Sequence, residues 1–372
     1  MKKAIKLLFF SMVLASVSLV AKDVYSSKHY TKSMKEHLVS AKDALKLLGK
    51  DNVVFVSGDS HDTYEAIGHI KGSAEMYAHH LHHSDITGKM DCAPLFMCPQ
   101  EAQELIGSKG ISNDTLVIAY DNFRGPNATG VWAFFKSFGH ENVKVLNGGM
   151  DAIKLIDENQ IEYDKYKSEV QDLRRAARDA SKNNETKTVE KYEKQIASLE
   201  KKMDALEPKL IIQKGKEPKH KKVAYNIDLQ KIDWDLIATK DDVLEASNDL
   251  VEKGKESDYR IIDTRSMIEI IGERKMDNVA RGGHVPGATF LEWNNITDFE
   301  NKLSFRDLSE LQKVFDKYGL KKDQKIYAYC HVGAGRSTEI VVALRMLGYK
   351  NAKVYTGSWN EWGNDMNLPI NR

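Results

Sequence analysis

The sequence predicts an α/β protein made of two copies of one domain, each a mainly parallel sheet flanked by helices, with a helical hairpin inserted between them. Three observations predict it. Two stretches repeat a strand–loop–helix–strand grammar in one register, each has a strand signal and a Gly-His pair upstream, and a long charged stretch with helical apolar spacing separates them. Alternating strands and helices imply parallel sheets covered on both faces. The 372 residues suffice for about two domains. With 41% hydrophobic and 29% charged residues the chain can bury real cores. A formal net charge of +1 gives no global field that would draw nucleic acid, so function has to rest on local sites.

In chain order, residues 1–21 read as a secretory signal. Lys2, Lys3 and Lys6 form its positive start, and the apolar run from Leu7 to Val20 is shorter than the ~20 residues of a comfortable membrane span. Cleavage after Ala21, or after Ser18, leaves a periplasmic or secreted protein with no membrane segment; an uncleaved anchor is the other reading. Three cysteines follow, an odd number for an exported chain. Cys92 and Cys98 are near enough to bridge, which would free Cys330; separate buried thiols are the alternative.

The first copy occupies residues 35–160. Val53 to Ser57 signals a strand, Gly68-His69-Ile70-Lys71-Gly72 follows, and Leu116 to Tyr120 is a second strand ending at Asp121. A helix carrying Val131, Trp132, Phe134 and Phe135 then stops at Gly139. Residues 161–222 form the charged hairpin and linker. Val170, Leu173, Ala177 and Ala180 make one apolar seam; Val189, Tyr192, Ile196, Leu199, Met203 and Leu206 make another, out of phase with it. Lys182-Asn183-Asn184-Glu185 marks the turn, so two antiparallel helices are expected. Over residues 166–206 this arm offers a surface for a protein partner, or packs only on itself.

The second copy occupies residues 230–372. Tyr259 to Asp263 signals a strand and Gly283-His284-Val285-Pro286-Gly287 answers the earlier Gly-His segment. Lys325 to Tyr329 is a strand that delivers Cys330; a helix with Ile340, Val341, Ala343, Leu344 and Leu347 stops at Gly348. An offset of 209 residues places Asp121 on Cys330, Gly139 on Gly348, Asn142 on Asn351, Val145 on Val354 and Gly148 on Gly357, without a gap.

Cys330 opens the loop His331, Val332, Gly333, Ala334, Gly335, which closes on Arg336 and Ser337. The two glycines let successive N–H groups turn toward one point, the following helix adds the positive end of its dipole, and Arg336 adds a fixed charge. All three favour thiolate over thiol and form a cradle for an oxyanion. An inert buried cysteine is the alternative, but it needs neither two glycines nor an arginine.

The segments Asp263-Thr264-Arg265, Gly283 to Ala288, the Cys330 loop and Tyr355-Thr356-Gly357-Ser358-Trp359-Asn360-Glu361-Trp362 resemble the rhodanese family, in particular its tandem-domain thiosulfate and mercaptopyruvate sulfurtransferases. The resemblance covers most of both copies, excluding the leader and the hairpin. It implies two rhodanese-like domains, the first inactive because Asp121 replaces the cysteine and Asn127 falls where Arg336 lies. It also implies a Cys330 persulfide, charged from a small sulfur donor such as thiosulfate and discharged to a thiol or cyanide. Arg336 and His331 would face the anionic donor, the loop residues 331–335 and Ser337 would bind substrate, and Asp263 and Arg265 would support the loop. No metal or organic cofactor is called for.

Two departures stand out. Glu269 occupies a position where many sulfurtransferases of this family hold a donor-binding arginine. Five residues separate Cys330 from Arg336, one more than is common there and similar to the Cys-x5-Arg-Ser loop of tyrosine-specific phosphatases. A phosphatase or arsenate reductase on the same fold is therefore the second reading, although Tyr329 stands where those enzymes have histidine and no general acid is evident. A non-catalytic binding protein is the third. His79, His80, His82 and His83 near Cys92 and Cys98 suggest either a metal site or a polar loop at the domain interface. Trp359 and Trp362 either line the mouth or pack beneath the loop.

Overall fold

The computed structural model describes residues 24–372; the signal read over residues 1–21 lies outside the described residues. The first domain contributes helices α1 (Lys32–His37) and α2 (Ala41–Leu47), and strands β1 (Leu38–Val39), β2 (Val53–Ser57), β3 (His69–Ile70) and β4 (Ala74–Glu75). Then come α3 (Pro99–Ser108), β5 (Leu116–Tyr120), α4 (Pro126–Ser137), β6 (Val143–Leu146) and α5 (Gly149–Ile156). The hairpin is α6 (Glu158–Lys182) and α7 (Thr186–Leu206), followed by β7 (Ile212–Gln213). The second domain holds β8 (Ile237–Ala238), α8 (Lys240–Lys253), β9 (Tyr259–Asp263), α9 (Met267–Ile270), β10 (Thr289–Phe290) and α10 (Leu308–Lys317). It ends with β11 (Lys325–Tyr329), α11 (Arg336–Met346), β12 (Ala352–Tyr355) and α12 (Ser358–Trp362).

Two five-stranded sheets result, ordered β1-β6-β5-β2-β4 and β8-β12-β11-β9-β10, and all their pairings are parallel. The orders are the same once equivalent strands are matched. The duplication seen in the register is thus a duplication of topology, and the expected two-domain α/β architecture is the one observed. The edge strands β1, β4, β8 and β10 are two residues long, too short for any alternation to show in sequence.

The largest apolar cluster runs through both domains, from Val117, Trp132 and Phe134 to Ile326, Val341 and Leu344. At its centre lie α4 and α11, both buried nearly all round, with Thr129, Thr338 and Glu339 enclosed among their apolar residues. They meet at Thr129 and Thr338, equivalent positions in the two copies, whose hydroxyls hydrogen-bond at 2.9 Å. The domains are therefore paired about a pseudo-twofold axis, with each loop that precedes a central helix turned toward the other domain.

The hairpin begins at Glu158, with Val170 and Ala180 buried along its seam, and Arg174 bridges to Glu200 at 2.6 Å. Past it, β7 pairs antiparallel with β3 and returns the chain to the first domain. The crossing segment lies along that domain: Val223 N–H donates to Gly107 O, and Ile227 N–H to Gln103 Oε1.

Candidate active site

Strand β11 carries buried side chains from Ile326 to Tyr329 and delivers Cys330, 2% exposed, to the loop. Below the loop, Tyr329 Oη donates to Asp263 Oδ2 at 2.5 Å and accepts from Val285 N–H at 3.1 Å. Burial, reinforced by the Asp263 charge, pushes the phenol well above its ordinary range, so it remains a donor. Arg265 forks onto the same carboxylate at 2.9 and 2.6 Å and reaches Gly283 O at 2.7 Å. Its guanidinium lies 4.4 Å from the Trp359 ring centre. Trp359 and Trp362 are both buried beneath the loop, with their indole N–H groups on Arg281 O and Pro369 O.

The segment after β12 holds the backbone of Cys330. Cys330 N–H donates to Ser358 Oγ at 3.1 Å; Cys330 O accepts from Trp359 N–H and His331 O from Asn360 N–H. Gly333, at φ +77°, crosses so close to this segment that a Cβ would stand 2.2 Å from Thr356 O. Gly335 has φ +153° and ψ −110°, a conformation that L side chains rarely adopt. The loop folds back this way because both residues lack a side chain. Ser337 Oγ then lies 3.5 Å from Cys330 Sγ and 2.9 Å from Gly333 O.

Arg336 gives Nη1 to Glu269 Oε2 at 2.8 Å and Nη2 to Oε1 at 3.2 Å, and Arg274 approaches the same carboxylate at 3.3 Å. Burial alone would raise the Glu269 carboxyl, but Arg336 and the Ser266 hydroxyl hold it at about 2. Against the effect of burial, Glu269 and the Cys330 sulfur strengthen the hold of Arg336 on its proton.

The histidine-rich segment separates into individual roles, and among the described residues no three His, Cys, Asp or Glu side chains are placed to share a metal ion. His83 pairs with Glu101 at 3.0 Å. The His79 ring sits at the loop, its Nε2 3.8 Å from where a Cβ on Gly335 would be, with Nδ1 on Tyr77 Oη. Burial, then the charge of Arg336, shifts His79 downward. Burial, then Arg336, brings His331 to about 4; burial, then His331, does the same for His82, whose Nε2 is buried without a partner. The first domain thus supplies imidazoles to the second domain's loop. Of the two readings of this segment, the polar loop at the domain interface fits this placement; the Cys330 loop as its neighbour was not visible in sequence.

Cys92 and Cys98 form a disulfide and Cys330 is the free thiol. The bridged loop rests on the second domain, where Thr356 Oγ1 donates to Pro94 O at 2.7 Å; ahead of the bridge, Ser84 Oγ accepts from Asn360 Nδ2 at 2.9 Å.

In the first domain, the Asp121 carboxylate takes the place of the thiol. It accepts from the N–H groups of Gly125, Asn127 and Ala128 at 3.0 to 3.3 Å. Their counterparts by the repeat offset are Ala334, Arg336 and Ser337. Asn127 turns instead to Asp59, at 3.0 Å. Burial, then the Asp59 charge, raises Asp121 to about 7, and Glu339 of α11, also buried and near Asp121, lies well above its ordinary range.

A putative thiosulfate sulfurtransferase of Haloferax volcanii is 27% identical over 95% of this chain and 97% of its own length. A sulfur carrier protein of Thermus thermophilus, TtuD, is 28% identical over 74% of this chain and 77% of its own. The solved anaerobic ergothioneine biosynthesis enzyme of Chlorobium limicola superposes with a TM-score of 0.63 at 20% identity, over 91% of this chain and 70% of that one, a likeness of fold. The rhodanese-like domain family matches residues 40–155 and again residues 246–365, one match on each sheet, and the chain therefore belongs to that family as a tandem-domain member.

Proposed function

We propose that this protein is a sulfurtransferase that carries sulfane sulfur as a persulfide on Cys330. The observation that carries this reading is the pair of equivalent loops. In one, three N–H groups converge on the carboxyl group of Asp121; in the other, the equivalent position holds a free cysteine with the Ser337 hydroxyl beside its sulfur. A cradle that accommodates a carboxylate suits the terminal sulfur of a persulfide anion. The names of the relatives point to the same chemistry and to thiosulfate as a donor.

The thiolate of Cys330 attacks the outer sulfur of the donor, a new S–S bond forms, and the donor's own bond to that sulfur breaks. The leaving group, sulfite when thiosulfate is the donor, takes the electron pair. An acceptor thiolate or cyanide then attacks the outer sulfur of the persulfide, and Cys330 leaves as thiolate. Ser337 and the loop N–H groups steady the negative charge in both steps.

The test is intact-mass spectrometry after exposure to thiosulfate or inorganic polysulfide. One added sulfur atom is expected on the wild type and none on Cys330→Ser, with discharge on adding cyanide. Hydrolysis of phosphate esters or reduction of arsenate without any sulfur adduct would overturn the proposal in favour of an oxyanion enzyme on this fold.

A further inference from the structure

We propose that the helical arm formed by α6 and α7 is a self-association surface, and that its occupant is the same arm of a second copy of this chain, running antiparallel. The inference goes beyond the sulfurtransferase reading and does not depend on it. It starts from an apolar seam that the arm does not cover by itself. Val189, Tyr192, Ile196, Leu199, Met203 and Leu206 recur along α7, yet among the described residues no side chain of that helix is buried. Along its own seam α6 buries Val170 and Ala180, while Leu173 and Ala177 stay half-buried. Two helices that touch along one line leave the flanks of their seam open, and further helices are needed to close it.

Midway along the arm the opening widens into a groove of 470 Å³, lined by Glu169, Asp172, Leu173, Gln195, Ser198 and Leu199. These residues lie near the centres of both helices. A twofold axis through the groove therefore sets it against its own copy and covers Leu173 and Leu199 with their counterparts.

Charge determines the direction. In α6, residues 158–172 hold five Asp or Glu and two Lys, and residues 173–182 hold four Lys or Arg and one Asp. The helix thus passes from a net −3 to a net +3. α7 does not offset this: its residues 186–195, beside the basic half, carry a net +1, and residues 196–206, beside the acidic half, carry none. An antiparallel pair of arms sets each basic half against the partner's acidic half, whereas a parallel pair sets like against like. Arg174 and Glu200, and Arg175 and Asp172, are paired within the arm, but each of these side chains keeps 42% or more of its surface exposed. Exposed pairs of this kind contribute little and exchange partners readily. The two helices side by side present a face about 20 Å wide and 30 Å long, so two arms bury roughly 1,200 Å² in all, enough for a specific, reversible dimer.

The experiment is sedimentation velocity of the purified protein across a micromolar concentration series. The wild type is expected to form a reversible dimer. Two charge reversals, Arg174→Glu with Arg175→Glu and Arg178→Glu, and Glu158→Lys with Glu162→Lys and Asp164→Lys, each place like charge on like at both ends of the contact. Each should weaken association by about a hundredfold. An equimolar mixture of the two variants should dimerise again, since the all-acidic arm then meets the all-basic one. A wild type that stays monomeric overturns the inference, as does a dimer indifferent to both reversals, or a mixture of two helical variants that stays monomeric. Should a reversal cost the arm its helical spectrum, cross-linking of the wild type decides. Lys182 lies about 25 Å along α6 from Lys165, beyond a short amine cross-linker within one arm. Links between these two lysines in the dimer fraction support the antiparallel pair, and a dimer without them overturns it. Sulfur loading of Cys330 is measured on the same samples, so failure of the dimer leaves the sulfurtransferase reading standing, and failure of loading leaves the dimer standing.

Discussion

At position 121 a carboxylate stands where the other copy has a thiol, and its surroundings set a pH dependence. Buried next to Asp59, Asp121 keeps its proton up to about pH 7, whereas in the unfolded chain it loses it near pH 4. The folded state therefore binds more protons than the unfolded state between those values, and stability falls as pH rises through that window. Glu339 acts in the same direction. Asp121→Asn retains an oxygen for the three N–H groups and removes the titration. Urea unfolding at pH 5 and pH 8 is expected to show a loss on the order of a few kcal/mol in the wild type and a smaller loss in the variant. Equal losses would refute the assignment. Cys330 itself was legible in the sequence because its loop is a local signature. Asp121 was legible only through the repeat, and the buried state of Glu339 was not legible, since a glutamate in the first turn of a helix ordinarily faces water.

Among elements, α4 and α11 decide where the Cys330 loop sits. Gly130 of α4 is the counterpart of Glu339 by the same offset, and the loop of the second domain rests directly on it. A Cβ there would lie 2.9 Å from Ala78 Cβ, 3.1 Å from Ala334 C and 3.2 Å from Gly335 N. Gly130→Ala is thus expected to cost about 1–3 kcal/mol by overpacking and to displace the loop. Slower sulfur loading of Cys330 with an unchanged far-ultraviolet spectrum is the predicted outcome; unaltered loading and unaltered melting would refute the contact. The longer elements were legible, since β2, β5, β9 and β11 begin and end at the residues read as strand signals, and α6 and α7 follow the two seams. The two-residue edge strands were not, because they exist through pairing with their neighbours.

For the whole molecule, the disulfide-closed loop of the first domain braces the second. Pro94 O within that loop, and Ser84 Oγ ahead of it, receive hydrogen bonds from Thr356 and Asn360, the segment whose next contacts are Gly333, Cys330 and His331. Replacing Cys92 and Cys98 by serine is expected to lower stability by roughly 2 kcal/mol, the usual scale for a short closed loop. It should also slow sulfur loading, while Cys330 remains titratable as the free thiol. Full retention of both properties would show that the loop is held without its bridge.

What the sequence determined by itself was the duplication, the parallel α/β architecture, the hairpin and the glycine-rich loop that Cys330 opens. Each follows from neighbouring residues: strand and helix periods, stop signals, and a glycine-rich turn after a cysteine. Only the tertiary structure decided which side chains meet at that loop. His79 and His82 reach the loop from the other domain, across more than 200 residues of chain. The partner of Arg336 is Glu269, 67 residues upstream. Such meetings depend on how two sheets pack about their pseudo-twofold axis, and no local period encodes that packing.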